Sequence, residues 1–166
     1  PNLANCRALA QWSDSEAMPA QVEPVGQTAK ICANRLFMAT NDARLIALDG
    51  LTGRVCPGFG AGGEVDLKAG VGQLSWAQEY QVSSPPAVVG DVVVVGSAVA
   101  DNQRIDAPSG VVRGYDVRSG ELVWAFDLAP PDFDYAAGLV SEAGYALGTP
   151  NVWSGFAVDQ PRDMVF

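Results

Sequence analysis

Short apolar segments alternate along the chain with pairs of turn-forming residues. The segments are rich in valine, leucine and isoleucine, and each is too short for an ordinary helix. Four pairs of them flank a brief polar connection and predict β-hairpins: 35–40 with 43–49, 85–89 with 92–96, 110–116 with 121–127, and 153–159 with 163–166. The one candidate helix, over 13–20, would be ended early by Pro19. The pattern therefore predicts an all-β chain.

Two of these hairpins are copies of one another. The sequence ALDGLTGRV (47–55) matches GYDVRSGELV (114–123) in the order apolar strand, aspartate, Thr/Ser-Gly and apolar strand. We expect the two equivalent aspartates, Asp49 and Asp116, to cap the turns that follow them, and Trp124 to pack between blades. Repeated antiparallel hairpins on this scale predict a partial β-propeller with four-stranded antiparallel blades. A β-sandwich is the alternative, although it would lack the self-similarity.

The repeat divides the chain into three parts of a single propeller domain. Residues 1–82 form a first blade region with irregular insertions, and residues 83–127 form a second blade. Residues 128–166 form a connector and the start of a third blade. Because the chain begins and ends within this pattern, we expect it to be an internal piece of a longer protein.

The composition excludes several classes of function. The 166 residues contain 10 Lys and Arg against 19 Asp and Glu, for a net charge of −9, so no basic surface for nucleic acid is indicated. Histidine is absent, which excludes a histidine base, a Ser-His-Asp or Cys-His nucleophile and His-ligated zinc within these residues. The three cysteines lack Cys-x-x-Cys spacing. No apolar run approaches the roughly 18 residues of a membrane span.

One connection is much longer than its counterpart in the repeat. An Asn-Asp pair (41–42) joins the second and third strands of the first copy, whereas AVADNQRIDAPS takes that place in the second. An enlarged loop with a carboxylate, Asp101, beside an amide, Asn102, is typical of a functional site; a surface loop with local turn bonds is the alternative. Strand alternation puts this loop on the same face as 83–86 and 149–153, which lead into innermost strands. These segments predict a ligand site at the mouth of the propeller axis.

The chain resembles the membrane-bound quinoprotein dehydrogenases in four stretches: TNDARLIALDGLTG, SSPPAVVGDVVVVGSAVADN, PSGVVRGYDVRSGELVWAFD and GTPNVWS. That family includes the glucose, quinate and polyol dehydrogenases that depend on pyrroloquinoline quinone (PQQ). The resemblance covers most of residues 28–166 and, more weakly, 1–12. It implies an eight-bladed propeller with PQQ on its axis and a Ca²⁺ or Mg²⁺ ion between the quinone and the protein.

The resemblance also implies a set of metal ligands. Asp101 and Asn102 occupy the place of the family's metal-binding acid and its neighbour, and Asn151 matches a metal-binding asparagine of the related alcohol dehydrogenases. Carboxylate and amide oxygens are the ligands that Ca²⁺ prefers, and PQQ would supply the others. A turn role for Asn151, directly after Pro150, is the alternative.

Further residues are implied to contact PQQ itself. Arg7 matches a cation that bonds the quinone oxygens, although a surface arginine paired with an acid is the alternative. Ser83 occupies the position of a threonine that contacts a PQQ carboxylate. Gly96 and Ser97 are expected to let the cofactor approach the backbone closely.

For the intact enzyme the resemblance implies oxidation of a sugar, a polyol or a cyclic hydroxy acid of the quinate type. Electrons would pass to ubiquinone on the periplasmic side of the bacterial inner membrane, with membrane contact through parts outside these residues. A histidine of the glucose-type enzymes is replaced by Leu3, which points towards a quinate or polyol substrate. The family's catalytic aspartate base would lie beyond Phe166, so the chain alone is expected to be inactive. A non-enzymatic propeller scaffold of the outer-membrane assembly type is the alternative.

The periplasmic location implied by the resemblance favours disulfide formation. Cys6 and Cys32 bracket an irregular stretch, so we expect these two residues to pair and Cys56 to remain a free thiol. Three reduced cysteines in apolar packing is the alternative.

Overall fold

The computed structural model describes residues 9–14, 30–100 and 102–166. Regular structure in these residues is β-strand, apart from a 3-10 turn at Gln160–Arg162. None of the helical structure in them is long and apolar enough to cross a membrane. The strands are β1 (Ala10–Ser13), β2 (Asn34–Ala39), β3 (Arg44–Asp49), β4 (Glu64–Asp66), β5 (Tyr80–Gln81), β6 (Ala87–Val89), β7 (Val92–Val95), β8 (Ala98–Val99), β9 (Val112–Asp116), β10 (Leu122–Phe126), β11 (Val158–Asp159) and β12 (Met164–Val165).

The strands form two four-stranded sheets, as the hairpin pattern predicted. The first sheet has the order β1-β2-β3-β4 and the second the order β6-β7-β9-β10, and every neighbouring pair is antiparallel. The last predicted hairpin forms the short pair β11-β12. Strands β5 and β8 pair separately from the two sheets.

The run of valines in β7 is explained by packing on both faces of the second sheet. Val93 and Val95 belong to the main core, which contains Phe37 and Leu45 of the first sheet. Val94 faces the other way and packs in a second cluster with partners that include Trp124. Period-2 alternation gives each face of a strand its own neighbours, and here both sets are apolar. Trp124 also stands over a glycine of the neighbouring strand β9, and its packing between blades stays a prediction.

The two copied aspartates have the same role. The Asp49 carboxylate accepts hydrogen bonds from the N–H of Thr52 at 2.8 Å and from its hydroxyl at 2.8 Å. The Asp116 carboxylate accepts from the N–H of Ser119 at 2.7 Å and from its hydroxyl at 3.0 Å. Both side chains therefore cap the turn after their strand, and this prediction is confirmed.

Polar contacts join the two sheets at one end. The indole N–H of Trp12 donates to Asp91 at 3.0 Å, and Arg118 forms an ion pair with the same carboxylate at 2.8 Å. The Arg118 guanidinium lies over the Trp12 ring, 4.6 Å from its centroid. Arg35 of β2 donates to the carbonyl oxygen of Val117 at 3.0 Å. These contacts fix the second sheet against the first.

A buried arginine holds the connection between the sheets. Arg113 of β9 donates to the carbonyl oxygens of Leu67 and Ala69 and to the hydroxyl of Tyr80. Its guanidinium also lies 5.8 Å from the ring centroid of Tyr115. Because Arg113 is almost fully buried, these carbonyl and ring contacts replace water around its charge. They fix the connection 67–80 beside the second sheet.

The disulfide pairing differs from the prediction. Cys32 is bonded to Cys56, with a Cα–Cα distance of 5.9 Å, so the predicted Cys6–Cys32 pair and the free Cys56 are wrong; Cys6 lies outside the described residues. The N–H of Cys32 donates to Asp49 at 2.6 Å, and the N–H of Cys56 donates to the carbonyl of Ala47 at 2.9 Å. The β2-β3 hairpin therefore brings the two cysteines together from either side of Asp49.

Two glycines allow the segment 150–152 to cross the second sheet's long loop. A Cβ atom added to Gly110 would lie 1.9 Å from the carbonyl oxygen of Pro150, and one added to Gly96 would lie 2.2 Å from that of Val152. The missing side chain of Gly96 thus makes room for the chain itself, which corrects the expectation that it makes room for a cofactor. Any larger residue at either position would displace the crossing segment.

We expect loss of the Cys32–Cys56 bond to lower the free energy of unfolding by about 2–4 kcal/mol, because the bond closes a loop in the unfolded chain. The measurement is denaturant unfolding of Cys56→Ala against the parent, with Cys6→Ser as the control that keeps the bond. Peptide mapping without reductant should recover Cys32 linked to Cys56. A Cys6–Cys32 peptide instead would contradict the assignment.

The Asp49 carboxylate should make stability pH-dependent. The hydrogen bond from the Cys32 N–H, and those from Thr52, hold the pKa of Asp49 below its ordinary value. A carboxyl whose pKa is lowered by folding stabilises the protein above its unfolded pKa, about 3.9, and loses that contribution as the pH falls through the folded pKa. Asp49→Asn should therefore cost about 1–3 kcal/mol at pH 7.

That cost should shrink as the pH falls below about 4, because the parent then loses the same contribution. Denaturant unfolding between pH 7 and pH 3 measures it, with the exposed Asp66→Asn as control. A cost for Asp49→Asn that stays constant over this pH range would show that the charge of the carboxylate contributes nothing.

The crossing at Gly110 gives a third prediction. Gly110→Ala should lower the free energy of unfolding by about 1–3 kcal/mol, as overpacking does, since its Cβ would overlap the Pro150 carbonyl. Gly58→Ala is the matched control because nothing lies within 4 Å of its added Cβ, and it should change stability by less than about 0.5 kcal/mol. Equal effects of the two variants would rule out a close crossing.

Candidate cofactor site

The short β5-β8 pair brings two polar segments together between the sheets. Tyr80 pairs with Val99 and Gln81 with Ala98 in antiparallel register. Continued by one residue, this register puts Val82 opposite Ser97, so the serines that follow β5 lie beside the residues that precede β8. The alternation of the strand continues past Gln81, because Val82 and Ser84 are buried whereas Ser83 is half-buried.

The segment 149–152 reaches the same place from the connector. The Thr149 hydroxyl accepts a hydrogen bond from the N–H of Gly110 at 3.0 Å, and the N–H of Gly148 donates to the carbonyl of Ala107 at 2.8 Å. With the close approach of Val152 to Gly96, these contacts put Asn151 next to the strand end that carries Ser97. Three segments predicted to share one face therefore meet.

Three side-chain oxygens of these segments are buried without a hydrogen-bond partner in the part of the chain that the structure describes. The Oγ atoms of Ser84 and Ser97 and the Oδ1 atom of Asn151 are buried and have no hydrogen-bond partner among the described residues. A buried polar atom without a partner costs free energy, so such a group indicates a site that receives a polar ligand. Two of the three residues, Ser97 and Asn151, were predicted from the sequence.

The structure describes two of the other four predicted residues. Ser83 is half-buried, and the buried hydroxyl belongs to its neighbour Ser84, which sequence reasoning missed. Asn102 is exposed and has a left-handed backbone conformation, with φ of 59°, which asparagine tolerates better than most residues. Arg7 and Asp101 lie outside the described residues.

An ion pair under the long loop was also missed. Glu79 is fully buried, and its carboxylate accepts from Arg104 Nε at 2.7 Å and from the N–H of Ser75 at 2.5 Å. The hydrogen bond from Arg104 holds the pKa of Glu79 below its ordinary value, although burial opposes the shift, so the carboxylate is charged at neutral pH. The available signal was the lone charged residue in SWAQEYQV and the lone basic residue in AVADNQRIDAPS.

The chemistry of the group is that of polar contact with a ligand. Hydroxyl and amide side chains donate to and accept from carbonyl and carboxylate oxygens. In the part of the chain that the structure describes, no cluster of three or more Asp, Glu, Cys or His side chains could hold a metal ion.

The family model described as glucose/ethanol/alcohol dehydrogenase, β-propeller domain (PQQ) matches residues 1–166. The glycerol dehydrogenase large subunit of Gluconobacter oxydans (strain 621H) is 40% identical over 167 residues, covering 100% of this chain and 21% of that protein. The quinate/shikimate dehydrogenase (quinone) of Acinetobacter baylyi is 36% identical over 167 residues, covering 97% of this chain and 20% of that protein. The chain thus spans about a fifth of the length of these curated relatives.

A solved structure shares the fold. Quinohemoprotein alcohol dehydrogenase ADHIIG from Pseudomonas putida HK5 superposes with a TM-score of 0.50 and 25% identity, covering 76% of this chain and 18% of that one. The two four-stranded sheets are accordingly blades of a propeller, and the polar meeting point lies on the face where the long loop emerges. On the match of the whole chain to one family model, this protein belongs to the PQQ glucose/ethanol/alcohol dehydrogenase β-propeller family.

Proposed function

We propose that this chain supplies part of the PQQ site of a quinoprotein dehydrogenase, at the axis of an eight-bladed propeller. The observation that carries the proposal is the set of buried oxygens of Ser84, Ser97 and Asn151, which lack partners among the described residues. PQQ carries carbonyl and carboxylate oxygens, and hydroxyl and amide groups are suitable partners for them. The donor set therefore fits the cofactor of the family.

In this proposal Asp101 holds a Ca²⁺ or Mg²⁺ ion, with Asn102 and Asn151 as amide ligands. Arg7 contacts the quinone oxygens of PQQ, and Ser83 contacts one of its carboxylates. When bound, PQQ supplies the redox chemistry that amino-acid side chains lack. The chain's own residues bind and orient the cofactor.

The substrate of the complete protein is proposed to be a sugar, a polyol or a cyclic hydroxy acid. The names of the two relatives, a glycerol dehydrogenase and a quinate/shikimate dehydrogenase, support this range. We propose ubiquinone as the electron acceptor and the periplasmic side of the inner membrane as the location, with membrane contact through parts outside residues 1–166.

The general base is proposed to lie outside this chain, which would then be inactive alone. Glu79 is a buried carboxylate in contact with the long loop, and its ion pair with Arg104 makes it a poor proton acceptor. The alternative function, a propeller scaffold without cofactor, is disfavoured by the match to a dehydrogenase family. It also leaves the buried oxygens of Ser97 and Asn151 unexplained.

Reconstitution of the full-length apoenzyme tests the proposal. Asp101→Ala should abolish Ca²⁺-dependent PQQ binding, because a hard divalent ion loses its anionic protein ligand. Ser97→Ala should weaken PQQ binding about two- to tenfold, the cost of one hydrogen bond. Titration with PQQ, followed by tryptophan fluorescence with and without CaCl₂, measures both effects.

Ser119→Ala, which removes a hydroxyl from the turn capped by Asp116, is the control and should bind PQQ like the parent. If Asp101→Ala reconstitutes with PQQ and Ca²⁺ as well as the parent, the metal assignment is wrong. If Ser97→Ala also binds PQQ as tightly as the parent, the meeting point is not part of the PQQ site.

A further inference from the structure

Glu79 anchors the long loop at two points. Its backbone carbonyl accepts a hydrogen bond from the N–H of Ala100 at 2.9 Å. Its carboxylate accepts from Arg104, through Nε at 2.7 Å and Nη2 at 3.3 Å. The residues between these two anchors in the sequence are 101 to 103. A single buried residue therefore holds both ends of the segment that carries the Asp-Asn pair.

The anchor is itself held by contacts outside the loop. Glu79 is fully buried, and its carboxylate also accepts from the N–H of Ser75 at 2.5 Å. The next residue, Tyr80, pairs with Val99 in the β5-β8 ladder and contacts Arg113 through its hydroxyl. The position of Glu79 is thus fixed by the connection 73–80 rather than by the loop.

Arg104 uses its whole guanidinium in this arrangement. Beyond Glu79, its Nη2 donates to the carbonyl of Gln73 at 2.6 Å, and its Nη1 lies 3.0 Å from the Asp106 carboxylate. Such planar, multiple bonding is specific to arginine, because lysine has one compact ammonium group. A lysine here would retain the positive charge but could not make the same set of hydrogen bonds to Glu79 and Gln73.

The contacts of the Glu79–Arg104 ion pair are local. Those described join the connection 73–79 to the loop 100–106, whereas the contacts between the two blades are made elsewhere by Trp12, Asp91 and Arg118. Loss of the pair should consequently free the loop while leaving the blades packed. A ligand-bearing segment fixed at both ends binds without first being ordered, and the loss of such support weakens metal sites.

We propose that Glu79 and Arg104 are positioning residues for the metal ion and PQQ, because their contacts fix the two residues, Ala100 and Arg104, on either side of 101–103. This inference rests on the proposed function, since it assigns the loop's purpose to that site. Neither residue is proposed to touch the cofactor.

The test compares Arg104→Lys and Glu79→Gln with the parent in the full-length apoenzyme. The readout is the CaCl₂ concentration that gives half-maximal PQQ binding, followed by tryptophan fluorescence. Loss of a supporting contact typically weakens a metal site about 10–100-fold, so Arg104→Lys should raise this concentration about tenfold or more. Arg118→Lys is the matched control, because Arg118 also pairs with a carboxylate, at 2.8 Å, but on a turn between outer strands. It should stay within about twofold of the parent.

Amide hydrogen exchange separates positioning from general stability. Peptides covering 98–106 should exchange faster in Arg104→Lys, while those from β2, β3 and β9 keep the parent's protection. Uniformly faster exchange, or an unchanged CaCl₂ requirement, would overturn the inference. Glu79→Gln gives a second case if the lysine variant is poorly folded by circular dichroism.

Asp101→Ala distinguishes failure of this inference from failure of the proposed function. If Asp101→Ala loses Ca²⁺-dependent binding while Arg104→Lys and Glu79→Gln match the parent, the site stands and the positioning role is refuted. If Asp101→Ala also binds like the parent, the proposed metal site fails and this inference fails with it.

Discussion

The apolar contact between the two blades is the constraint on which the rest of the structure depends. Val93 and Val95 of the second blade share one core with Phe37 and Leu45 of the first, and burying each such side chain contributes about 1.5–3 kcal/mol. With that contact in place, β7 must be apolar on both faces, and its opposite face packs against Trp124. The polar contacts of the turns and of the long loop lie at the two ends of the blades.

The two ends differ in what they do. One end carries the turns after Asp49 and Asp116 and the contacts of Asp91 with Trp12 and Arg118. Its polar groups are paired with one another, so it is a structural end. The other end carries the long loop and buried oxygens that have no hydrogen-bond partner within residues 9–14, 30–100 and 102–166. Unpaired buried polar groups lower stability, and proteins retain them mainly where function requires them.

The long loop is held in place by contacts near its two ends. Its two ends are fixed by close backbone contacts at Gly96 and Gly110 and by the partly buried ion pair of Glu79 with Arg104. A buried ion pair adds little net stability compared with apolar packing, but the removal of one partner leaves an uncompensated charge. Such a pair is therefore better explained by the positioning of the loop than by the stability of the blade.

Much of the fold was predictable because its signals are local. Turn residues at 41–42 and 90–91, period-2 apolar strands and the copied Asp49 and Asp116 motifs each act within a few residues. They determine hairpins, and repeated hairpins of this kind determine four-stranded blades. That the segments carrying Ser97 and Asn151 emerge on one face was predictable for a related reason, since strand alternation indicates it, whereas the choice of these two residues came from the family resemblance.

The tertiary structure decided what depends on residues far apart in the sequence. Cys32 pairs with Cys56 because the β2-β3 hairpin brings them together, a distance that spacing does not reveal. The pairing of Glu79 with Arg104 follows from the register of β5 against β8. Composition and local pattern determine the elements of a β-protein and their turns, whereas strand register determines which side chains meet. The site belongs to the second category, because each of its groups comes from a different segment.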